Sequence, residues 1–428
     1  MGQLSGAGQL TGIQLPTGES TSLNYDGNGF LTQITPPAPG TTVSFTPDSA
    51  ERIATSTDAV NGMLTYSYDA LNRLTKVTYP DSTYEQIAYD RLDVASTRDR
   101  DGRVTHYTHD AARRLTGIQD PAGRLIQLAW CDCGALTALT DGAGHTTNWA
   151  YNFMDQLTSK TYPDGSKVSY GYDTTISLLK TITDAMGQET NFTYNLSNQL
   201  TNVQYQNAVN ATPNVTFSYE PVLGRLAAMI DGTGTTEFGY NPFASGPGAG
   251  LLETVQGPLP SSTVQYGYNA SQRITSVGVN GTSESYQYNS YGQLSQVTNP
   301  LGNFTYAYDS AGRLNQVKLP NSATTTLSYY PSSQSGRLED ITHNGALGLL
   351  AQYGYSYDPA GQITTWTQQQ GTNPLNTDLP EYDLAGQLTG TTQAYGTTPT
   401  ALTWTYDLAG NRTQSTFNGI PTAYTNND

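Results

Sequence analysis

Two short motifs contain the residue types that could carry metal or redox chemistry. The segment Cys131-Asp132-Cys133 places two thiols two residues apart, and such a pair could bind a metal ion or close a strained disulfide. No second pair of Cys or His residues stands at zinc-site spacing, so the zinc interpretation is weak. The segment Asp99-Arg100-Asp101-Gly102 begins like a calcium loop but lacks the later carboxylate ligands. A hairpin turn is therefore the favoured interpretation of this segment.

The histidines do not form a catalytic or metal-binding pattern either. The sequence has four, at positions 106, 109, 145 and 343, and the first two are three residues apart, so a strand would point them to opposite faces. Neither a Gly-x-Ser-x-Gly elbow nor a phosphate-binding glycine loop occurs. We therefore predict no catalytic, cofactor-binding or metal-binding residues and no enzymatic activity.

Composition narrows the class of protein. The 428 residues include 43 Gly and 31 Tyr but only 13% charged residues, which favours an all-β protein with many tight turns. The net charge of −16 argues against binding nucleic acid or an anionic membrane surface. No apolar run approaches the roughly 20 residues that span a bilayer. The N-terminus does not read as a signal peptide, and we expect the chain to be a fragment of a longer protein.

A tyrosine followed by Asp or Asn recurs about every 20 to 28 residues and defines roughly eighteen units. Clear copies stand at Tyr68-Asp69, Tyr172-Asp173, Tyr308-Asp309, Tyr357-Asp358 and Tyr406-Asp407. Paired tyrosines two residues apart lie on one face of a strand. Their strict repetition favours cross-strand packing, and the alternative is a surface that binds a carbohydrate or a protein ligand.

The unit that begins at Tyr308 shows the chemistry of each position. Asp309 opens a turn because its side chain can accept hydrogen bonds from the backbone N–H groups just ahead of it. Gly312 supplies the positive φ that a type I turn with a G1 bulge needs. Arg313 comes next, and Leu314 begins the following strand. Each repeat is therefore predicted to be one β-hairpin, and no segment shows helical periodicity.

Tandem hairpins impose the architecture. Eighteen of them give about 36 strands, far beyond the roughly ten at which open twisted sheets curl or split. Sheet twist then forces the ribbon to wind. We predict an all-β fold in which residues 1–428 form one continuous array, a spiral antiparallel sheet that makes a hollow shell or a tube.

Three segments break the period: residues 241–259, 345–350 and 368–379. We expect longer surface loops at hairpin tips, and the alternative is a contact site for a partner or cargo.

The pattern Tyr-Asp-x-x-Gly-Arg-Leu at residues 308–314 resembles the YD repeat of the RHS family, and near copies at 357–363 and 68–74 extend the resemblance over essentially the whole chain. The family includes bacterial polymorphic toxins, the C components of insecticidal toxin complexes and the teneurins. The resemblance implies a hollow spiral β-shell, secreted or on the cell surface. It implies that the shell encapsulates or presents a C-terminal effector. The alternative is an extracellular adhesive scaffold whose edge strands self-associate end to end into tubes or filaments.

One departure from the family limits the inferences that the resemblance allows. Bacterial shells of this family end in a core motif of Asp-Pro-x-Gly-Leu type, where aspartates cut off the toxin. The nearest match here is Asp358-Pro359-Ala360-Gly361, which is followed by Gln and stands within the array as a repeat turn. Neither a protease nor a toxin is therefore assigned to the chain.

Overall fold

The computed structural model describes residues 2–38, 40–60, 62–244, 246–394 and 399–425. In these residues 39 strands are assigned to one sheet, and the only helix is a single 3₁₀ turn at Ser332–Gln334. The chain divides into two compact units, unit 1 (Met1–Leu125 and Tyr286–Asn427) and unit 2 (Ile126–Ser285). The predicted all-β array of antiparallel hairpins is confirmed.

The first part of unit 1 contains the strands β1 Gly2–Leu4, β2 Leu10–Gln14, β3 Ser20–Tyr25, β4 Leu31–Thr35, β5 Val43–Pro47, β6 Ile53–Thr57, β7 Met63–Tyr68, β8 Leu74–Thr78, β9 Tyr84–Asp90, β10 Asp93–Arg98, β11 Val104–His109 and β12 Leu115–Gln119. The boundary to unit 2 falls within β13 Leu125–Trp130. Unit 2 continues with β14 Leu136–Thr140, β15 Thr146–Tyr151, β16 Leu157–Thr161, β17 Lys167–Tyr172, β18 Leu179–Thr183, β19 Glu189–Tyr194, β20 Leu200–Gln206, β21 Val215–Tyr219, β22 Leu226–Asp231, β23 Gly234–Tyr240, β24 Leu252–Gln256, β25 Thr263–Tyr268 and β26 Ile274–Val279.

The second boundary falls within β27 Thr282–Tyr288. The second part of unit 1 contains β28 Leu294–Asn299, β29 Gly302–Tyr308, β30 Leu314–Lys318, β31 Thr324–Tyr329, β32 Leu338–Gly345, β33 Gly348–Tyr357, β34 Ile363–Gln370, β35 Asn376–Tyr382, β36 Leu388–Ala394, β37 Thr400–Tyr406, β38 Arg412–Phe417 and β39 Ile420–Ala423.

Successive strands pair antiparallel with their neighbours in sequence, so the turns fall into two rows at opposite ends of the strands. The YD row consists of the turns that come after the repeat tyrosines, from Asp26–Phe30 to Asp407–Asn411. The distal row consists of the turns at the other strand ends, such as Asp99–Arg103, Asp120–Arg124 and Asp141–His145.

The turn after Tyr308 has the predicted geometry. Asp309 N–H donates to the Arg313 carbonyl at 2.8 Å, and Gly312 N–H donates back to the Asp309 carbonyl at 3.0 Å. The pairing of β29 with β30 shifts register between Ala307 and Tyr308, which is the expected bulge, and Gly312 has φ +77°.

The sheet has little buried core. Among the described residues, Val203 and Val297 are the buried hydrophobic side chains, each 8% exposed, and no side chain is less than 2% exposed. Most strand residues are half-buried. Stability must therefore come mainly from backbone ladders and from contacts between neighbouring strands, as in other repeat arrays.

The expectation of a longer loop at residues 345–350 is wrong. Gly345 pairs with Gly348 and Asn344 pairs with Leu349, so the extra residues lengthen β32 and β33 around a tight turn. Part of the segment 368–379 likewise extends β34 and β35, leaving residues 371–375 as the connection. Extra residues can be added to both strands of a hairpin because each added pair completes a further ladder bond. In the segment 241–259, a turn-rich connection precedes β24, and Ser245 lies outside the described residues.

Candidate functional site: a seam of hairpin turns

Within unit 1, the YD-row turns of residues 309–410 contact the distal-row turns of residues 40–124, and we call this contact the seam. Hydrogen bonds cross it from Arg100 to Ser335, from Arg103 to Gln362 and from Arg124 to Gln387, over sequence separations of 235, 259 and 263 residues. In unit 1 the sheet thus winds back on itself, as the spiral prediction requires.

Two glycines show how closely the turns approach at the seam. A Cβ added at Gly312 would lie 2.8 Å from Thr41 Cγ2, and one added at Gly62 would lie 2.7 Å from Ser332 Cβ. Real Cβ atoms do not approach carbon so closely, so the two rows are in direct van der Waals contact.

Arg100 is the central polar residue of the seam, and its side chain is only 6% exposed. Its guanidinium donates to Asp81 Oδ2 at 2.6 Å, to Thr83 Oγ1 at 2.8 Å and to Ser335 Oγ at 2.8 Å. It also lies over the Tyr79 ring, 3.9 Å from the centroid. A buried charge is tolerated when it is paired and hydrogen-bonded in this way. Sequence reasoning placed Arg100 in a hairpin turn and gave no sign of its burial.

Asp101 and Asp358 face each other across the seam. The Ala360 N–H donates to Asp101 Oδ1 at 3.3 Å, and Arg103 Nη2 lies 3.2 Å from Asp101 Oδ2. Burial and the hydrogen-bonding Asp358 carboxylate raise the pKa of Asp101 above its ordinary value, although Arg103 acts in the opposite direction. The Asp-Pro-x-Gly segment is thus a YD-row turn, as the sequence indicated, and it also belongs to the seam.

A cavity of about 400 Å³ opens at the seam beside Arg100, Arg337 and Asp358. Tyr330 and Tyr357 line it with their rings edge to face, 6.5 Å apart. Both guanidinium groups already donate to protein acceptors, since Arg337 binds the Asp358 and Pro359 carbonyls. The polar groups here hold turns together and are not arranged as a nucleophile with a base.

The repeat tyrosines named from the sequence use their hydroxyl groups in a way that the sequence did not predict. Four of the five donate to the carbonyl of an aliphatic residue at the start of an earlier strand: Tyr68 to Ile53 at 2.9 Å, Tyr172 to Leu157 at 3.0 Å, Tyr308 to Leu294 at 2.8 Å and Tyr406 to Leu388 at 2.7 Å. Burial raises the pKa of Tyr68, Tyr172, Tyr308 and Tyr357. These bonds join successive repeats.

The turn-opening aspartates act as predicted. Asp309 Oδ1 accepts hydrogen bonds from the N–H groups of Ala311 and Arg313, both at 2.9 Å. Asp173 and Asp407 accept equivalent bonds from Thr175 and Asn411. Gly361, at φ +101°, donates its N–H to Asp358 Oδ1 at 2.7 Å.

The arginine of the repeat joins one turn to the next. Arg313 Nε donates to Asp309 Oδ2 at 2.8 Å, and its Nη1 donates to the Gly336 carbonyl of the following turn at 3.0 Å. The guanidinium also lies 4.2 Å from the centroid of the Tyr329 ring, and Tyr329 in turn donates to the Leu314 carbonyl at 2.8 Å. Position 313 was recognised as part of the repeat, but this contact with the next repeat was not predicted.

Cys131 and Cys133 form a disulfide, one of the two alternatives that the sequence left open. Cys131 Sγ accepts a hydrogen bond from the Ala135 N–H at 3.3 Å, the position that an aspartate oxygen takes in other YD-row turns. Over the described ranges, no cluster of three or more His, Cys, Asp or Glu side chains could hold a metal ion. Nor does the described part of the chain contain a helix long and apolar enough to cross a membrane.

Two family models match the chain. The RHS Repeat model matches residues 268–303 and 288–324, and the Teneurin YD-shell model matches residues 41–223. Residues 41–223 and 268–324 are thus RHS/YD repeats. The matched segments include the YD turns at Tyr68, Tyr172 and Tyr308.

Solved structures share the fold of this YD-repeat chain. A crystal structure of TcdB2-TccC3-TEV superimposes with a TM-score of 0.76 over 95% of this chain and 26% of that one, at 14% identity. The Tc holotoxin pore of Photorhabdus luminescens gives 0.71 over 98% and 25%, also at 14% identity. The double-stranded DNA deaminase toxin A of Burkholderia cenocepacia (strain H111) is 30% identical over 136 residues, which are 31% of this chain and 9% of that protein. The YD-repeat chain thus matches about a quarter of the length of the structures and a tenth of that toxin.

Proposed function

We propose that this YD-repeat chain is a wall segment of a secreted or surface shell that encapsulates or presents a C-terminal effector. The shell-type fold points to a structural role. The observation that carries the proposal is the seam, where turns more than 230 residues apart meet through the buried Arg100 side chain. A wound sheet can act as a wall only if successive windings are joined, and the seam makes that junction within unit 1.

The lack of a thick apolar core also supports the proposal that the sheet is a wall. A globular enzyme of this length would bury a substantial apolar core, whereas here the described strands keep most side chains half-buried. A single sheet stabilised by neighbouring strands spreads its residues over a large surface.

The comparisons support the effector part of the proposal. The solved structures with the same fold are those of Tc toxin components, and the protein that is 30% identical over 136 residues is a toxin. The proposed partner is an effector polypeptide on the C-terminal side of the array, and the proposed location is outside the cell. The strong negative charge disfavours nucleic acid as a ligand of the wall itself.

Protease protection tests encapsulation directly. An unfolded, protease-sensitive polypeptide is fused after Asp428, and its digestion is compared with that of the same polypeptide alone. We expect the fused polypeptide to survive at least about tenfold longer, and to be digested at the free rate once denaturant unfolds the array.

The seam provides the control for this experiment. The double variant Arg100→Ala/Arg103→Ala should lose protection while circular dichroism still reports the strands. If the fused polypeptide is digested at the free rate although the wild-type array stays intact, the array does not enclose a polypeptide attached to its C-terminus, and the encapsulation proposal fails.

A further inference from the structure

Five consecutive YD-row turns of unit 2 expose bulky apolar side chains at their tips. We call this set the apolar ridge; its members are Phe153, Ile176, Leu196, Val222 and Phe243. Phe153 is 94% exposed and Val222 is 90% exposed. Isolated exposed apolar residues are ordinary, but a row of them on successive turns is a continuous patch.

Hydrogen bonds join three of the four pairs of neighbouring ridge turns. Gln156 Nε2 donates to the Ser177 carbonyl at 2.9 Å, Gln199 Nε2 to the Gly224 carbonyl at 2.6 Å and Arg225 Nη1 to the Gly250 carbonyl at 2.8 Å. Each bond joins a ridge turn to the next turn of the row. Because strands lie about 4.8 Å apart, turns two strands apart lie about 10 Å apart and the ridge is roughly 40 Å long.

The ridge turns differ from the YD-row turns of unit 1 in how they open and close. Most YD-row turns of unit 1 open with Asp, and several close with Arg four residues later, as Asp69 with Arg73 and Asp309 with Arg313 do. Three of the five ridge turns open with Asn instead, at positions 152, 195 and 241, and Gln156 and Gln199 replace the arginine. The ridge turns still contain Asp155, Asp173, Glu220 and Arg225, but Glu220 and Arg225 pair with each other at 2.6 Å. Bulky apolar tips with a polar surround are the arrangement found in protein interfaces.

The seam shows which surface a YD row packs against. In unit 1 its partner is a distal row, as where the Ala360 N–H donates to Asp101 Oδ1 and where Gly312 meets Thr41. Distal-row turns elsewhere expose apolar tips of their own, with Leu301 78% and Leu347 105% exposed. Gaps of about 10 Å between ridge turns can accept such side chains.

We propose that the apolar ridge docks onto the distal row of a second copy of this chain, with Leu301 and Leu347 between the ridge tips. This contact between two copies repeats the packing of a YD row on a distal row that the seam shows within one copy. Burying five such tips would remove on the order of 700 Å² from water, close to the ~800 Å² that one partner of a stable complex contributes. Because different surfaces meet, copies associate head to tail. The proposal does not depend on whether the array encloses a cargo.

Sedimentation velocity over a concentration series tests this proposal with three variants. The ridge variant is Phe153→Ser/Leu196→Ser/Val222→Ser, and the distal variant is Leu301→Ser/Leu347→Ser. The control, Leu71→Ser/Leu92→Ser, changes two YD-row tips of unit 1 that lie outside the seam and are 60% and 56% exposed. Circular dichroism checks that each variant keeps its strands.

We expect wild type and control to form concentration-dependent oligomers, and each of the two interface variants to weaken association at least about tenfold. An equimolar mixture of ridge and distal variants should form dimers and nothing larger, because each supplies one intact surface. The proposal is overturned if wild type stays monomeric at about 100 µM, a concentration far above the Kd of a stable complex. It is also overturned if the distal variant associates like wild type, which would indicate ridge-to-ridge pairing, or if the ridge variant loses only binding to phosphatidylcholine vesicles.

Discussion

At the scale of single residues, the repeat tyrosine matters through its hydroxyl group as much as through its ring. Tyr308 donates to the carbonyl of Leu294, the first residue of β28, and Tyr329 repeats the contact with Leu314 one unit later. A phenylalanine would pack as well but would leave a half-buried carbonyl without this donor. This contact gives a physical reason for tyrosine at the end of nearly every returning strand.

Replacing Tyr308 by Phe should therefore lower the free energy of unfolding by about 0.5–1.5 kcal/mol, the net value of one hydrogen bond. Urea unfolding followed by circular dichroism measures the change. Tyr306→Phe is the matched control, because it removes a hydroxyl from the same strand and leaves the bond to Leu294 in place. Equal losses for the two variants would contradict the role assigned to the Tyr308 hydroxyl.

Aspartates in the turns and at the seam should respond to pH with opposite signs. The backbone N–H and guanidinium of Arg73 lower the pKa of Asp69, so its stabilising contribution is present above the unfolded pKa of 3.8 and is lost as the pH falls through the folded value. The pKa of Asp101 is raised, so its contribution is present below 3.8 and is lost as the pH rises through the folded value.

Asp101→Asn should accordingly stabilise the seam at neutral pH and have no such effect in acid. An amide stays neutral beside Asp358, whereas the wild-type carboxylate ionises there. The gain should be less than about 1 kcal/mol, because solvent screens both side chains in part. Thermal unfolding from pH 3 to 7 measures it, and a difference between variant and wild type that does not change with pH would refute this explanation.

At the scale of elements, a glycine in a turn can have a local role or a tertiary one. Gly123 and Gly312 both close turns with positive φ, at +85° and +77°. An added Cβ at Gly123 would meet nothing within 4 Å, whereas at Gly312 it would meet Thr41 across the seam. The same turn chemistry thus serves the hairpin alone at one position and the packing of two rows at the other.

Gly123→Ala should lower the free energy of unfolding by about 1 kcal/mol, the ordinary penalty for a side chain in the left-handed region. Gly312→Ala should cost that amount plus roughly 1–3 kcal/mol of overpacking at the seam. Chemical denaturation of both variants gives the difference directly. Equal costs would mean that the Thr41 turn moves aside freely.

At the scale of the whole molecule, the array has local and long-range contacts of very different kinds. The hydrogen-bond ladders of the hairpins join strands that are neighbours in sequence, and their contributions to the free energy of unfolding add along the chain. The seam joins turns more than 230 residues apart in sequence, and among its polar contacts the ion pair of Arg100 with Asp81 is the most buried. Loss of the seam should therefore open unit 1 locally without unfolding the hairpins.

Arg100→Met tests this separation of contacts. Removing one partner of a buried pair leaves Asp81 uncompensated and should cost about 3–5 kcal/mol. Arg113→Met is the control, because Arg113 also pairs with an aspartate, Asp93 at 2.7 Å, but its side chain is 55% exposed. We expect this variant to lower the free energy of unfolding by less than about 1 kcal/mol. Hydrogen exchange should show lost protection at residues 79–83 and 332–336 in Arg100→Met while the strands of unit 2 keep theirs. Equal effects of the two variants would show that the seam does not depend on Arg100.

The sequence by itself determined the hairpins, the turn type and the role of the opening aspartate. Each of these depends on hydrogen bonds within about five residues, as between Asp309 and Arg313, and such bonds leave a repeating pattern in the sequence. Only the tertiary structure decided which turns meet. The twist accumulated over many strands sets where a winding returns, and no local pattern records that sum. For this reason Arg100 and Arg113, both in ordinary-looking turns, end with different burial, and Asp101 meets Asp358.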